Sequence, residues 1–467
     1  MLMNNELNFL TISEAADLIR GKQLSPVELT EAHLERIAKL DPLLNSFITV
    51  THEIALEQAR AAEVEISRGD YRGALHGIPI GLKDLYPLAN VATTAGSKFL
   101  RDTVDLADCT VVSKLRAAGS VFVGKTNMHE WAFGVINDNA HFGTCKNPWD
   151  TTRSPGGSSG GSAAALSAGL CMGALGSDTR GSIRIPAALC GIVGLKPTYG
   201  RVSLSHVVPL SWTLDHAGPM ARRIKDVAIL LQAIAGWDES DPVSANVPVD
   251  DYLSHINRGI KGLRIGILHD ELFGEAEPAI QQAVDEAVQV LLRLGAVLRR
   301  QLPYRSFDTR DTSRFISGVE AAAFHEERLR TRPEDFGAEV LTRLQSSQEF
   351  TAGDYARSRR AQVQLIHAMQ RLFKDVDLLI VPTTPMTAPR FENAAELDKG
   401  RTVLSWFTAP FNMAGLPAIS IPCGFTADGL PIGLQLVAAP WQEAQLLRAA
   451  FAYEQTTEWH QRRPPID

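Results

Sequence analysis

Two turns rich in glycine and serine bracket one short segment of this 467-residue chain. The first reads Gly156-Gly157-Ser158-Ser159-Gly160-Gly161-Ser162, and the second reads Gly176-Ser177-Asp178-Thr179-Arg180-Gly181-Ser182. Glycine beside serine permits positive φ and clears bulk away from main-chain N–H groups. Successive N–H groups facing one concavity bind an anion, either a phosphate or the oxyanion of acyl transfer, and the loops alone do not select between them. A Walker-type loop needs Lys and then Ser/Thr after its last glycine, whereas Gly161 is followed by Ser162-Ala163-Ala164. The G-x-S-x-G elbow is matched formally by Gly157 to Gly161, but polar Thr151 to Pro155 is no buried strand, and no histidine falls within this region. A lysine can serve as the base instead. Gly77 to Asp84 reads GIPIGLKD, a mostly apolar run with one ammonium; burial of Lys83 would lower its pKa and fit it to draw a proton from a serine hydroxyl.

GIPIGLKD, PGGSSGGSAAA, GSDTRGSIRIPA and GLKPTYGRVS, in this order and spacing, resemble the amidase signature family of serine amidohydrolases. TNMHEWAFG, NPWD, GLPAISIPCGF and GLPIGLQLV extend the similarity over nearly the whole chain. The resemblance implies a Ser-Ser-Lys set: Lys83 as base, Ser158 as relay after a cis Gly157-Ser158 bond, and Ser182 as nucleophile. It implies an oxyanion hole from the main-chain N–H groups of Thr179, Arg180, Gly181 and Ser182. Gly157 and Ser159 would support the site, and Asp178 would orient the turn through hydrogen bonds to backbone. No metal and no cofactor is implied. Arg180 departs from the family pattern, which commonly has glycine there, giving DTRGS for DTGGS. Its backbone can still serve the hole if it tolerates the required φ and ψ, and its side chain either faces solvent or an ion pair, or meets a polar or anionic substrate.

The net charge of −7 comes from 46 basic and 53 acidic residues with no long run of either sign, so nucleic acid is not an expected direct partner. Five scattered cysteines without a CxxC pair fit a reducing compartment and argue against zinc. The N-terminus lacks the layout of a signal peptide, and the longest apolar stretch, near Ala163 to Gly176, is too short to span a membrane. A soluble, cytoplasmic protein is expected.

Thr11-Ile12-Ser13-Glu14 and Ser25-Pro26-Val27-Glu28 read as capping boxes that start helices ending near Gly21 and Asp41-Pro42; a third helix is predicted over Glu53 to Arg68. Predicted strands fall at Gly77 to Leu85, Val121 to Lys125, Leu263 to Leu268, Asp377 to Pro382, Ala418 to Pro422 and Ile432 to Val437. Predicted helices fall at Cys109 to Ala118, Glu277 to Leu294 and Gln442 to Glu454. This alternation argues for an α/β fold, which the resemblance specifies as a central mixed β-sheet covered by helices on both faces. A single domain over 1–467 is expected: a helical layer to about 70, the signature core over about 71–236, a pocket-forming section over about 237–375, and core strands with a helix over about 376–467. Lys125 is the rival base, and His206 and His216 are the nearest downstream histidines, read as bonded to backbone or solvent. Trp131, Phe133, Phe324 and Trp406 are aromatic candidates for a pocket wall, each read first as core.

The resulting expectation is a stand-alone amidohydrolase that cleaves a small amide, anilide or carbamate through a Ser182 acyl enzyme, with esterase side activity and no nucleic-acid or membrane partner. The resemblance also allows a homodimer. The alternative is the glutaminase subunit of a tRNA-dependent amidotransferase. Ile185, where that branch usually carries Gln, and His129, where it tends to carry an acid, set this chain apart from it.

Overall fold

The computed structural model describes residues 4–268, 276–302 and 310–466. Its eleven strands are β1 (Phe47–Val50), β2 (Pro79–Lys83), β3 (Val121–Thr126), β4 (Gly173–Ser177), β5 (Val193–Lys196), β6 (Ala217–Ala221), β7 (Arg264–Leu268), β8 (Val297–Leu302), β9 (Leu378–Pro382), β10 (Ala418–Phe425) and β11 (Pro431–Ala438). They form one sheet in the order β1-β3-β2-β4-β6-β5-β10-β11-β9-β7-β8. β2 runs parallel to β3 and β4, and β7 runs parallel to β8 and β9; the remaining pairs are antiparallel. The fold is therefore a mixed α/β sheet, as expected.

Side-chain alternation along the strands shows why both faces are covered. Val121 and Val123 pack with Leu34, Ile37 and Leu166 on one face, while Phe122 between them joins Leu82, Val112 and Leu115 in the larger core on the other. The helices Pro26–Leu44 and Gly160–Ser167 cover the first face, and Thr110–Ala117 and Ile224–Ile234 belong to the second.

Thr11 forms the predicted capping box over Ile12–Arg20. Ser25 caps the next helix by accepting from Val27 and Glu28 N–H; that helix passes through Pro42 and ends at Leu44 on the left-handed residue Asn45. Three core strands lie outside the predicted set. β4, β5 and β6 read GALGS, VGLK and AGPMA, and small residues in them let neighbours approach: a Cβ on Gly173 would stand 2.8 Å from Leu230 Cδ1, and one on Gly218 2.2 Å from Leu195 O. The section after Glu326 resolves into the helices Glu326–Thr331, Ala338–Gln348 and Ala352–Leu372.

Candidate active site

Lys83 is the last residue of β2, a strand buried along its whole length. Its parallel partner β4 pairs Leu175 with Leu82 and ends at Ser177, one residue later in register than Lys83, so lysine and serine meet at one end of the sheet. Lys83 Nζ lies 2.7 Å from Ser158 Oγ and 2.8 Å from Ser177 Oγ. Burial lowers the Lys83 pKa from its usual range to about 7, partly offset by the Asp215 and Asp178 carboxylates. The Gly157-Ser158 bond is cis.

The second turn is folded around Asp178. Its carboxylate accepts from the N–H groups of Gly181 at 2.7 Å and Ile183 at 3.2 Å, from Asn412 Nδ2 at 2.8 Å, and from the Arg184 guanidinium at 2.9 and 3.0 Å. Burial pushes the Asp178 carboxyl up, but Arg184 and these donors outweigh it and hold the group well below the usual carboxylate range. Gly181 has φ +134, and a Cβ there would stand 2.2 Å from Thr408 Oγ1. The Gly181 N–H, expected in the oxyanion set, is the one of the four that is bonded to Asp178 in this structure. The N–H groups of Thr179, Arg180 and Ser182 form no hydrogen bond among the described residues.

Ser182 lies beside the first turn, where its carbonyl accepts from Ser159 N–H at 3.2 Å. No hydrogen bond joins Ser182 Oγ to Ser158 Oγ among the described residues. Ser159 and Ser162 tie the Gly160–Ser167 helix to β4: Ser159 Oγ bonds Ser177 main chain, and Ser162 Oγ donates to Leu175 O at 3.0 Å. Ser177 itself reaches Lys83, a contact not foreseen for what reads as a loop hydroxyl. Asp215 is a further unforeseen member. It accepts from Thr179 Oγ1 at 2.5 Å and from Ser211 N–H at 2.9 Å, and burial raises its pKa to about 6.

The other candidates lie elsewhere. Lys125 pairs with Asp84 at 2.9 Å and donates to Thr93 Oγ1 at 2.7 Å. His206 is exposed, and buried His216 bonds the Leu214 carbonyl at 2.7 Å through Nδ1. Trp131 packs edge-on against His325 and Phe324 in the core. Phe133 and Trp406 instead line a cavity of about 410 Å³ that Arg180 also borders. Among the described residues no His/Cys/Asp/Glu group is arranged to hold a metal ion, and no helix is long and apolar enough to cross a membrane.

This sheet and this serine-lysine cluster define a carbon–nitrogen hydrolase architecture: the Amidase family model matches residues 28–447, and the chain belongs to that family. It is 41% identical to the A-subunit of a glutamyl-tRNA(Gln) amidotransferase from Carboxydothermus hydrogenoformans, over 99% of this chain and 100% of the relative. It is 43% identical to the corresponding protein of Methylococcus capsulatus, which bears the same name, over 97% and 98%. Among solved structures it superposes with TM-score 0.90 and 35% identity, over 96% of this chain and 98% of the other, on a protein of a vestigial complex tied to the evolutionary origins of an s-triazine catabolic enzyme.

These relatives overturn the expectation of a stand-alone small-amide hydrolase with no nucleic-acid partner: the full-length relatives are named as subunits of an enzyme of glutamyl-tRNA. The two residues set against that branch are both buried. Ile185 is buried with Ile136, Leu189 and Met386 behind the nucleophile turn, and His129 is buried against Gly134.

Proposed function

We propose that this chain is the amide-hydrolysing subunit of a tRNA-dependent amidotransferase and releases ammonia from the carboxamide of glutamine. The observation that carries this reading is the 40–43% identity, along their whole length, to proteins named as the A-subunit of glutamyl-tRNA(Gln) amidotransferase. The site geometry supports the chemistry. Neutral Lys83 takes the Ser158 proton, Ser158 takes that of Ser182, and Ser182 Oγ attacks the carboxamide carbon. The Thr179, Arg180 and Ser182 N–H groups stabilise the oxyanion. The C–N bond then breaks, the leaving nitrogen takes back a proton through Ser158 and departs as ammonia, and water hydrolyses the acyl enzyme to glutamate. The remaining subunits would deliver the ammonia to the aminoacyl-tRNA. Five buried free thiols accord with the reducing, cytoplasmic setting expected of such an assembly.

The test is ammonia release from glutamine by the purified chain and by its assembly with co-expressed partner subunits and charged tRNA, each beside Ser182→Ala. Glutamine-dependent release that rises in the assembly and vanishes in the variant is the expected result. Turnover of simple neutral amides with none of glutamine in either form overturns the reading.

A further inference from the structure

Glu320 is buried on the helix Arg310–Phe324, and its carboxylate accepts from Ser211 Oγ at 2.6 Å, Thr213 N–H at 3.2 Å, Thr213 Oγ1 at 2.7 Å and Tyr355 OH at 2.8 Å. Ser211 faces two ways. While its hydroxyl donates to Glu320, its N–H donates at 2.9 Å to Asp215, which also accepts from Leu210 N–H at 2.8 Å. Asp215 in turn accepts from Thr179 Oγ1 at 2.5 Å, and its neighbour His216 exchanges main-chain hydrogen bonds with Asp178 at 2.8 and 3.1 Å. The segment 210–216 is therefore clamped between a helix of the pocket-forming section and the turn that carries Ser182. Neither Glu320 nor Asp215 forms a direct ion pair among the described residues. A buried carboxylate held by neutral donors alone is costly to keep, and all but one of the bonds that satisfy Glu320 come from that one segment.

From this chain of contacts we infer that Glu320 is a positioning residue for the reaction at Ser182: through Ser211 and Asp215 it fixes Thr179, the residue at which the oxyanion set begins. An oxyanion donor is effective only where its direction is set before charge develops, and a small misplacement of such a group costs much of the rate. Asp178 anchors the far side of the turn, at the Gly181 and Ile183 N–H groups. Thr179, on the near side, is anchored through its hydroxyl to Asp215. Asp215 is aimed by the Leu210 and Ser211 N–H groups, and those are held in place because Ser211 and Thr213 are bonded to Glu320. The inference rests on the proposed reading only in taking Ser182 as the nucleophile and the Thr179 N–H as one of its oxyanion donors.

Phenylmethanesulfonyl fluoride tests this without glutamine. Ser182 Oγ bonds to its sulfur, the S–F bond breaks and fluoride leaves, the serine proton passes to Ser158 and Lys83, and a sulfonyl oxygen faces the oxyanion donors. Labelling of the Ser182 peptide, followed by mass spectrometry across reagent concentrations in the full-length chain, separates the limiting rate from the half-saturating concentration. Glu320→Gln and Ser211→Ala are each expected to lower the limiting rate about 10- to 100-fold and to leave the half-saturating concentration within about threefold. Thr179→Val, which cuts the same chain at its other end, is expected to match that loss, and Glu320→Gln added to it should cost less than about twofold more. If Glu320→Gln does not fold, Ser211→Ala carries the same comparison with Thr179→Val. Losses that multiply in the double variant, limiting rates within about twofold of wild type in both single variants, or no labelling of Ser182 in the wild-type chain overturns the inference. Ammonia release keeps the two readings apart. The expected labelling pattern in a chain that releases no ammonia from glutamine, alone or assembled, defeats the glutaminase and leaves the positioning role; glutamine turnover with losses that multiply does the reverse.

Discussion

Lys83 has to be neutral to act as a base, and its lone pair has to face Ser158. Burial meets the first need by bringing the pKa to about 7. Ser177 meets the second: with Ser177 Oγ 2.8 Å away to accept one N–H, the lone pair is turned towards Ser158 Oγ. The acylation rate, followed by single-turnover ammonia release, is therefore expected to rise up to tenfold per pH unit below about 7 and to level off above it. A rate independent of pH across this range would remove Lys83 from the base role. Lys83→Met is expected to lower the rate by about 10²–10⁴-fold. The same variant carries a stability signature. A lysine whose folded pKa lies below its unfolded value of about 10.4 leaves the unfolded chain with more bound protons across that interval. Its ionisation therefore makes the wild-type protein more stable as pH rises from about 7 towards about 10, and urea midpoints of Lys83→Met should lack that rise. Ser177→Ala, which loses only the orienting acceptor, is expected to cost about tenfold in rate while the protein stays folded, a loss of roughly 1.4 kcal/mol.

At the scale of elements, the nucleophile turn is held from behind by the Asp178–Arg184 pair, both side chains fully buried. Arg184 also donates to Thr408 O at 3.0 Å and to the Gln435 and Asn412 side chains at 2.5 Å, so one guanidinium joins the turn, the Arg184–Cys190 helix, β11 and the Ala409–Met413 helix. Asp178→Asn leaves that cation without its counter-charge and weakens acceptance from Gly181 N–H. A loss of about 3–5 kcal/mol in urea denaturation is expected, with activity falling alongside; a loss below about 1 kcal/mol would show that the pair does not hold the turn. Because the Asp178 pKa is depressed, its contribution is present above the ordinary carboxylate range and is lost as pH falls through the folded value, so the wild-type advantage over Asp178→Asn should shrink in acid. How legible these elements were depended on side-chain size. GIPIGLK and DLLIVP announce buried strands by branched apolar runs, and Thr11 announces its helix by a capping box. β4 does not announce itself: Gly173, Ala174, Gly176 and Ser177 carry no strand pattern, because that strand is specified by how closely its neighbours must approach. Lys83, Ser158 and Ser182 were legible as motif residues, whereas the roles of Ser177 and Asp215 depend on where β4 and the Ser211–Asp215 turn end in space. The engagement of Gly181 N–H by Asp178 is a matter of turn geometry that no spacing encodes.

Across the whole molecule, the four sections expected from the sequence share one sheet and one core. The larger apolar cluster contains Ile12 from the helical layer, Ile80 and Leu230 from the signature core, Leu291 and Val340 from the pocket-forming section, and Ile380 and Leu447 from the C-terminal strands and helix. Domain boundaries fall where few contacts cross, and here the core crosses every candidate boundary. The proposal that 1–467 is a single domain therefore predicts one cooperative unit, although a chain of this length commonly unfolds in stages. Leu291→Ala tests it, because Leu291 lies deep in the core on the pocket-forming section, far from the serines in sequence. Truncation there is expected to cost about 2–5 kcal/mol. In a single unit, that cost spreads to every section. Hydrogen exchange followed peptide by peptide in rising urea should then show the midpoints of peptides from 12–68, 79–126, 278–293 and 418–454 moving down together. A shift confined to 278–293 and its immediate neighbours would instead make 237–375 a separate domain docked on the signature core.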